Sequence, residues 1–308
     1  VSFDALHDSS AQDPERCCHP GTRKNVLHKM RSWMDDPNAP ERILWLNGPA
    51  GVGKSAIAQT MSYSSGRDKI GASFFFFRSD PTRNDGNRLF PTLAWRLASS
   101  VPVVKDRIAF SLEGDPDIPR KTIEIQFDQL IAQPVLTLSG GESAAPTSTR
   151  VIIIDGLDEC SDLKLQERIL KIIGNAVADT RFSLRFVISS RPEANIQDFF
   201  DQFQSPTLRI DLANVDDAFR DIETFLTSEF ARVAVEQRLN KKTWPAQGAI
   251  DTLVSKSSGQ FVYASTVMKY IGDRYESAVA QLGVILGLKP STGKSPFSEL
   301  DALYTEIL

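Results

Sequence analysis

The segment Ile43-Leu44-Trp45-Leu46-Asn47-Gly48-Pro49-Ala50-Gly51-Val52-Gly53-Lys54-Ser55 decides the fold. Residues 43–47 form an apolar run ending in Asn47, the pattern of a strand buried on both faces. Gly48, Pro49, Ala50, Gly51, Val52, Gly53, Lys54 and Ser55 then fit the spacing G-x-x-x-x-G-K-[ST]. Beyond them Ile57, Ala58 and Met61 share one helical face. Strand, glycine-rich turn and helix in that order predict a phosphate-binding loop. The glycines let the backbone curl so that successive N–H groups point at phosphate oxygens. The helix that starts there adds the positive end of its dipole. Lys54 is placed to neutralise the β- and γ-phosphates of a nucleoside triphosphate, and the Ser55 hydroxyl to bind Mg²⁺.

Further strands are expected at 71–77, 151–155, 185–189 and 207–212, all short, apolar and rich in β-branched or aromatic residues. Helical patterns separate them, such as 163–177 with Ile169, Ile172, Ile173 and Ala176 on one stripe. Continuous apolar strands alternating with helices predict an α/β fold, a five-stranded parallel sheet between helices. A helix is expected from Arg23 to Met34, with Thr22 as its N-cap and Val26, Leu27, Met30, Trp33 and Met34 on its apolar face. Residues 1–20 are polar and aperiodic and read as a leader, and 138–150 as a surface loop. After Asp211 the period becomes helical throughout. Phe219, Ile222, Phe225, Leu226 and Phe230 mark one helix, with Asp216 or Asp217 near its cap. Others are expected over 246–257, 260–275, 278–288 and 298–307. The organisation is therefore a leader (1–20), an α/β domain (21–213) and a small α-helical subdomain (214–308).

The string Val151-Ile152-Ile153-Ile154-Asp155-Gly156-Leu157-Asp158-Glu159 brings an aspartate to the carboxyl edge of the sheet, where open α/β folds bind ligands. Asp155 is placed to hold Mg²⁺. Asp158 and Glu159 lie just beyond, where a carboxylate could orient or deprotonate an attacking water, or simply cap the next helix. Arg191 follows the fourth strand. If that strand lies between those ending at Asn47 and Asp155, its guanidinium faces the γ-phosphate; otherwise it is a surface arginine pairing with Glu193 or Asp198. Arg78, Arg83 and Arg88 read as a solvated loop, with contact to a partner or phosphate as the alternative. Cys17-Cys18-His19 is too tightly spaced for one tetrahedral metal site.

The 308 residues are 41% hydrophobic and 24% charged, the composition of a folded chain. A net charge of −4 gives no general attraction to nucleic acid or anionic membrane, and no apolar stretch approaches a bilayer span. Three cysteines make no disulfide framework and fit a reducing, cytoplasmic setting. The start at Val1 and apolar end at Ile307-Leu308 suggest a piece of a longer chain.

Gly21-Thr22-Arg23, the phosphate-loop segment, Asp155-Gly156-Leu157-Asp158-Glu159 and Ser189-Ser190-Arg191-Pro192 together resemble the NACHT family of STAND signalling NTPases. The nearest type is the fungal sequences similar to the nephrocystin-3 N-terminal domain, over roughly residues 18–308. The resemblance implies a P-loop NTPase whose fourth strand separates those of residues 43–47 and 151–155, making Arg191 a sensor. It also implies a helical lid over the nucleotide, with Gly21–Arg23 near the base. The segment Gly259-Gln260-Phe261-Val262-Tyr263-Ala264 resembles the place of a Gly-Leu-Pro-Leu-Ala motif in the related plant-resistance class, but Phe261 stands where that motif has proline, so a proline contact to the base does not carry over. The expected function is a switch that binds ATP, or GTP, with Mg²⁺ and hydrolyses it slowly. Its implied partners are an effector module before the chain, a sensor or repeats after it, and further copies in a homo-oligomer. A turnover kinase and a nucleotide-stabilised scaffold are the alternatives.

Overall fold

The computed structural model describes residues 1–13, 16–66, 69–136, 150–203, 206–215, 217–240 and 243–287. The position of Asp216, most of the expected loop at 138–150 and the expected helix at 298–307 lie outside them. By internal contacts the chain divides into two units. Unit 1 comprises Val1–Cys17, Asn25–Gly48 and Lys54–Leu212, and unit 2 comprises Cys18–Lys24, Pro49–Gly53 and Ala213–Leu308.

Unit 1 is built on a five-stranded sheet of β1 (Ile43–Asn47), β2 (Ile70–Phe75), β3 (Val151–Asp155), β4 (Arg185–Ser190) and β5 (Thr207–Asp211), ordered β2-β3-β4-β1-β5. Every pairing is parallel, and β4 separates β1 from β3 as expected. Every residue of β1 to β4 is buried, as a sheet covered on both faces requires. The helices α1 (Lys24–Asp35), α2 (Lys54–Ser64), α3 (Leu89–Ser100) and α4 (Pro102–Gly114) follow the chain from Lys24 to Gly114. α5 (Ile123–Phe127) runs through a π-helical stretch, Asp128–Ala132, into α6 (Gln133–Leu136); α7 (Leu163–Ala178) and α8 (Ala194–Gln202) flank β4 in sequence. The core includes Phe74, Leu93, Ile152, Ile169, Phe186 and Phe200. α1 buries the five residues read from its stripe. Its start differs: Thr22 donates its hydroxyl to the His19 carbonyl at 2.8 Å, and Arg23, at φ 53°, precedes the first helical residue.

The register sets the site. Asn47 lies opposite Ser190, and Ile154 opposite Ile188, so β1, β4 and β3 end nearly level at their carboxyl edge. Sequence-distant residues 47, 155 and 190 thereby become neighbours.

Residues 1–13, read as a leader, are tied into unit 1 by polar contacts and by the burial of Ala5 and Leu6. Phe3–Ala5 form a 3₁₀ turn and Ala5 is fully buried. The backbone N–H of His7 donates to Ser73 Oγ at 3.1 Å, and its Nδ1 lies 2.8 Å from the same oxygen. Its carbonyl accepts from Gln59 Nε2 at 2.7 Å and Tyr63 Oη at 3.0 Å. Burial pushes the His7 imidazole below its ordinary value of 6.5; Asp8 opposes the shift and Arg96 adds to it. The folded state therefore binds fewer protons than the unfolded one, so this contribution is present above pH 6.5 and is lost as the pH falls. His7→Gln removes that term. Thermal melts should show wild type losing its advantage over the variant between pH 7.5 and pH 5.5; a constant difference would contradict the burial of a neutral His7.

Unit 2 is helical. α9 (Ala218–Glu236), α10 (Ala249–Ser257), α11 (Phe261–Ile271) and α12 (Ala278–Ile285) close a separate core around Leu226, Phe230, Leu253, Val267 and Leu282. Among the described residues no helix is long and apolar enough to cross a membrane.

Candidate nucleotide site

Unit 1 carries the charged part of the site. The Lys54 ammonium, on the first residue of α2, donates to the Gly48 carbonyl at 2.7 Å. Burial lowers its pKa, while Asp158 first, then Asp155, pull it back up. Arg191 and Glu159 also act on it, so Lys54, Asp155, Asp158, Glu159 and Arg191 share one electrostatic neighbourhood.

Asp155 ends β3 fully buried. The Ser189 hydroxyl donates to its Oδ1 and itself accepts the Gly156 N–H at 3.0 Å, which fixes the carboxylate's direction. The Ser55 hydroxyl is its other partner. Burial pushes the Asp155 pKa up against both hydroxyls, because two neutral donors do not compensate a buried anion. A carboxylate and a hydroxyl side by side suit a hard cation that takes its remaining ligands from phosphate and water. The donor set, the Asp155 carboxylate and the Ser55 hydroxyl, fits Mg²⁺ shared with phosphate and water.

Gly156 turns the chain out of β3 at φ 69°, a left-handed conformation costly for any residue with a Cβ. The turn leads into a 3₁₀ segment, Leu157–Glu159, pinned by Gln166 Nε2 donating to the Cys160 carbonyl at 2.9 Å. Here the two acids diverge. Asp158 Oδ1 accepts the Arg191 N–H at 3.0 Å, and Oδ2 pairs with Arg191 Nε at 3.2 Å. Its side chain is only 2% exposed. Asp158 thus holds Arg191 in place. Neither Glu193 nor Asp198 is the arginine's ion-pair partner among the described residues. Glu159 instead lines a narrow cavity with Ser55, Asp155, Gln12, Arg16 and Arg83. Its Oε2 accepts the Arg78 N–H at 3.0 Å, and burial raises its pKa above the ordinary 4.5, Asp155 and Asp158 adding to the rise.

Arg83, Gln12 and Arg16, which line the cavity, were not among the site residues expected from the sequence. Arg83, expected in a solvated loop, is 5% exposed, which corrects that expectation. Gln12 and Arg16 come from the segment read as a leader. Polar composition alone cannot distinguish a solvated segment from one docked through hydrogen bonds.

Pro49–Gly53 group with unit 2. The Val262 N–H donates to the Gly51 carbonyl at 3.1 Å. Gly51 has φ 76°, and a Cβ there would come 2.4 Å from the Val262 side chain, so both backbone and space demand glycine. Arg23 Nη2 donates to the Val52 carbonyl at 2.7 Å, and its N–H donates to Asp221 Oδ2 at 3.0 Å. The Arg23 guanidinium lies 4.9 Å from the centre of the Phe261 ring. Gly21–Arg23, which the resemblance placed near the base, and the start of α11 are therefore neighbours.

In overall fold the chain is similar to a Walker-type ATPase of Pyrococcus abyssi, at 14% identity and TM-score 0.52, covering 92% of this chain and 75% of that one. PCH-2 of C. elegans matches at 13% identity and TM-score 0.45, over 86% and 70% of the two chains. No curated protein sequence matches the chain. The α/β unit has the P-loop NTPase fold, a nucleotide-binding architecture. The family model described as nephrocystin 3, N-terminal, matches residues 21–191, which span every charged group of the site from Lys54 to Arg191. The chain belongs to the nephrocystin 3, N-terminal, family.

Proposed function

We propose that the chain is a nucleotide-operated regulatory switch of the NACHT and STAND type, binding ATP or GTP with Mg²⁺ and hydrolysing it slowly. The observation that carries this reading is the convergence of Ser55, Asp155 and Glu159 on one cavity, with Lys54 in the same electrostatic neighbourhood. Residues 48–55 wrap the phosphates through backbone N–H groups, and Lys54 neutralises the β- and γ-phosphates. Ser55 and Asp155 hold the metal, which when bound draws charge from the phosphate oxygens. Glu159 orients the attacking water and takes its proton. Asp158 positions Arg191, whose remaining N–H groups respond to the terminal phosphate.

A switch needs a ligand that distinguishes two states, and a γ-phosphate met by Arg191 provides that difference. In this reading the chain works within a larger cytoplasmic protein, with an effector module before it, a sensor or repeats after it, and nucleotide-dependent homo-oligomers. Cys17, Cys18 and Cys160 form no disulfide among the described residues, which suits that compartment. The test is to denature freshly purified protein and identify the nucleotide released. Bound adenine or guanine nucleotide, with diphosphate accumulating slowly after loading with triphosphate, is expected. No nucleotide, together with no binding of ATP or GTP in titration, would overturn the reading.

A further inference from the structure

Of the three arginines that follow β2, Arg78 and Arg88 are exposed, whereas Arg83 is 5% exposed. The loop carrying Arg83 is closed by its own hydrogen bonds. Phe77 N–H donates to the Arg83 carbonyl at 3.3 Å, and Arg83 N–H to the Asp80 carbonyl at 2.9 Å. Asp80 Oδ1 accepts from both the N–H and the hydroxyl of Thr82 at 2.8 Å. Asn84 Nδ2 spans back to the Arg78 carbonyl at 2.8 Å, and the Asn84 carbonyl accepts the Ser161 N–H at 2.9 Å.

The guanidinium is anchored at one corner, where Nε donates to the Phe75 carbonyl at 3.2 Å, and lies 5.1 Å from the centre of the Phe77 ring. It shares its cavity with Ser55, Asp155 and Glu159. Among the described residues Arg83 forms no ion pair within 4.0 Å; its electrostatic neighbours are Asp80, then Arg16, whose like charge adds to the cost of burying it, then Glu159 and Asp155. A buried arginine without a salt-bridge partner is costly, and a site that brings it an anion offsets that cost. Arg191 already has its carboxylate in Asp158. Arg83 faces the metal-binding pair and the carboxylate that would activate water.

We infer that Arg83 is a catalytic residue of the hydrolysis proposed above, its guanidinium contacting the γ-phosphoryl oxygens of a triphosphate whose Mg²⁺ sits on Ser55 and Asp155. The inference rests on that reading. In the step it assists, the water oxygen bonds to the γ-phosphorus and the bond to the bridging oxygen breaks. The nucleoside diphosphate leaves with the bonding electron pair, and the water proton goes to Glu159. Charge grows on the bridging oxygen and remains on the γ-oxygens, and a fixed guanidinium stabilises it without reorganising. The closed loop and the Phe77 ring hold that geometry before the nucleotide arrives.

The test compares wild type with Arg83→Gln and Arg83→Lys, using ATP and GTP in parallel. Single-turnover hydrolysis in Arg83→Gln should fall about 10²–10³-fold. Affinity for the diphosphate should stay within about threefold, and trapping of diphosphate with aluminium fluoride should be lost, because only the γ-position is affected. A purely structural role would instead lower diphosphate affinity and the melting temperature together. If Arg83→Gln does not fold, Arg83→Lys decides: retained diphosphate binding with at least about a tenfold slower step is expected, since an ammonium cannot reproduce the planar fork. A wild-type rate in either folded variant overturns the inference while leaving the nucleotide reading intact. If wild type neither binds nor hydrolyses triphosphate, and Lys54→Ala behaves identically, the nucleotide reading falls and the role of Arg83 falls with it.

Discussion

Glu159→Gln should slow single-turnover hydrolysis about 10²–10⁴-fold, the range for losing a positioned general base. Triphosphate affinity should change by no more than a few-fold. The prediction follows from how the two acids after Asp155 are used. Both Asp158 oxygens are taken by Arg191, at 3.0 and 3.2 Å, so that carboxylate orients a cation. Glu159 reaches the cavity of Ser55 and Asp155, and burial raises its pKa, making it a better proton acceptor once ionised. The amide keeps the shape and the hydrogen bond from the Arg78 N–H while removing the basic oxygen. Rapid-quench measurement of bound triphosphate gives the rate, and titration the affinity. A wild-type rate in Glu159→Gln, or a larger loss in Asp158→Asn, would reverse the assignment of base and positioning group.

Lys54→Ala should weaken triphosphate binding roughly 10- to 100-fold. A charge-assisted hydrogen bond is worth about 1.5–3 kcal/mol, and each 1.4 kcal/mol is about tenfold. Lys54 is largely removed from water, where its charge meets less screening, and Asp158 and Asp155 help keep it protonated. Calorimetric titration of both variants at one salt concentration decides it. Equal affinities would remove residues 48–55 as the phosphate loop.

Much of this was legible in local sequence. β1 and β3 have the bounds read from their apolar runs, because strands buried on both faces read as near-continuous apolar runs. The strand expected at 71–77 ends earlier, at Phe75, because Phe77 turns back to donate to the Arg83 carbonyl. Which distant partners would pair was not legible, even where each residue had been singled out. Arg191 and Asp158 are 33 positions apart, and His7 meets Ser73 across 66. Arg83 belongs to a polar stretch whose composition is that of any exposed loop; only the packing of β2 beside β3 turns it inward. Spacing places a residue on an element. It does not say which distant side chain will meet it.

The central claim is that Ser55 and Asp155 share a Mg²⁺ with a triphosphate gripped by Lys54. Its most direct measurement is the triphosphate affinity of wild type with Mg²⁺ and with the metal chelated away. An affinity at least about tenfold tighter with Mg²⁺, with the metal dependence abolished in Asp155→Asn, is the expected result. Equal affinity with and without Mg²⁺ in wild type would contradict it.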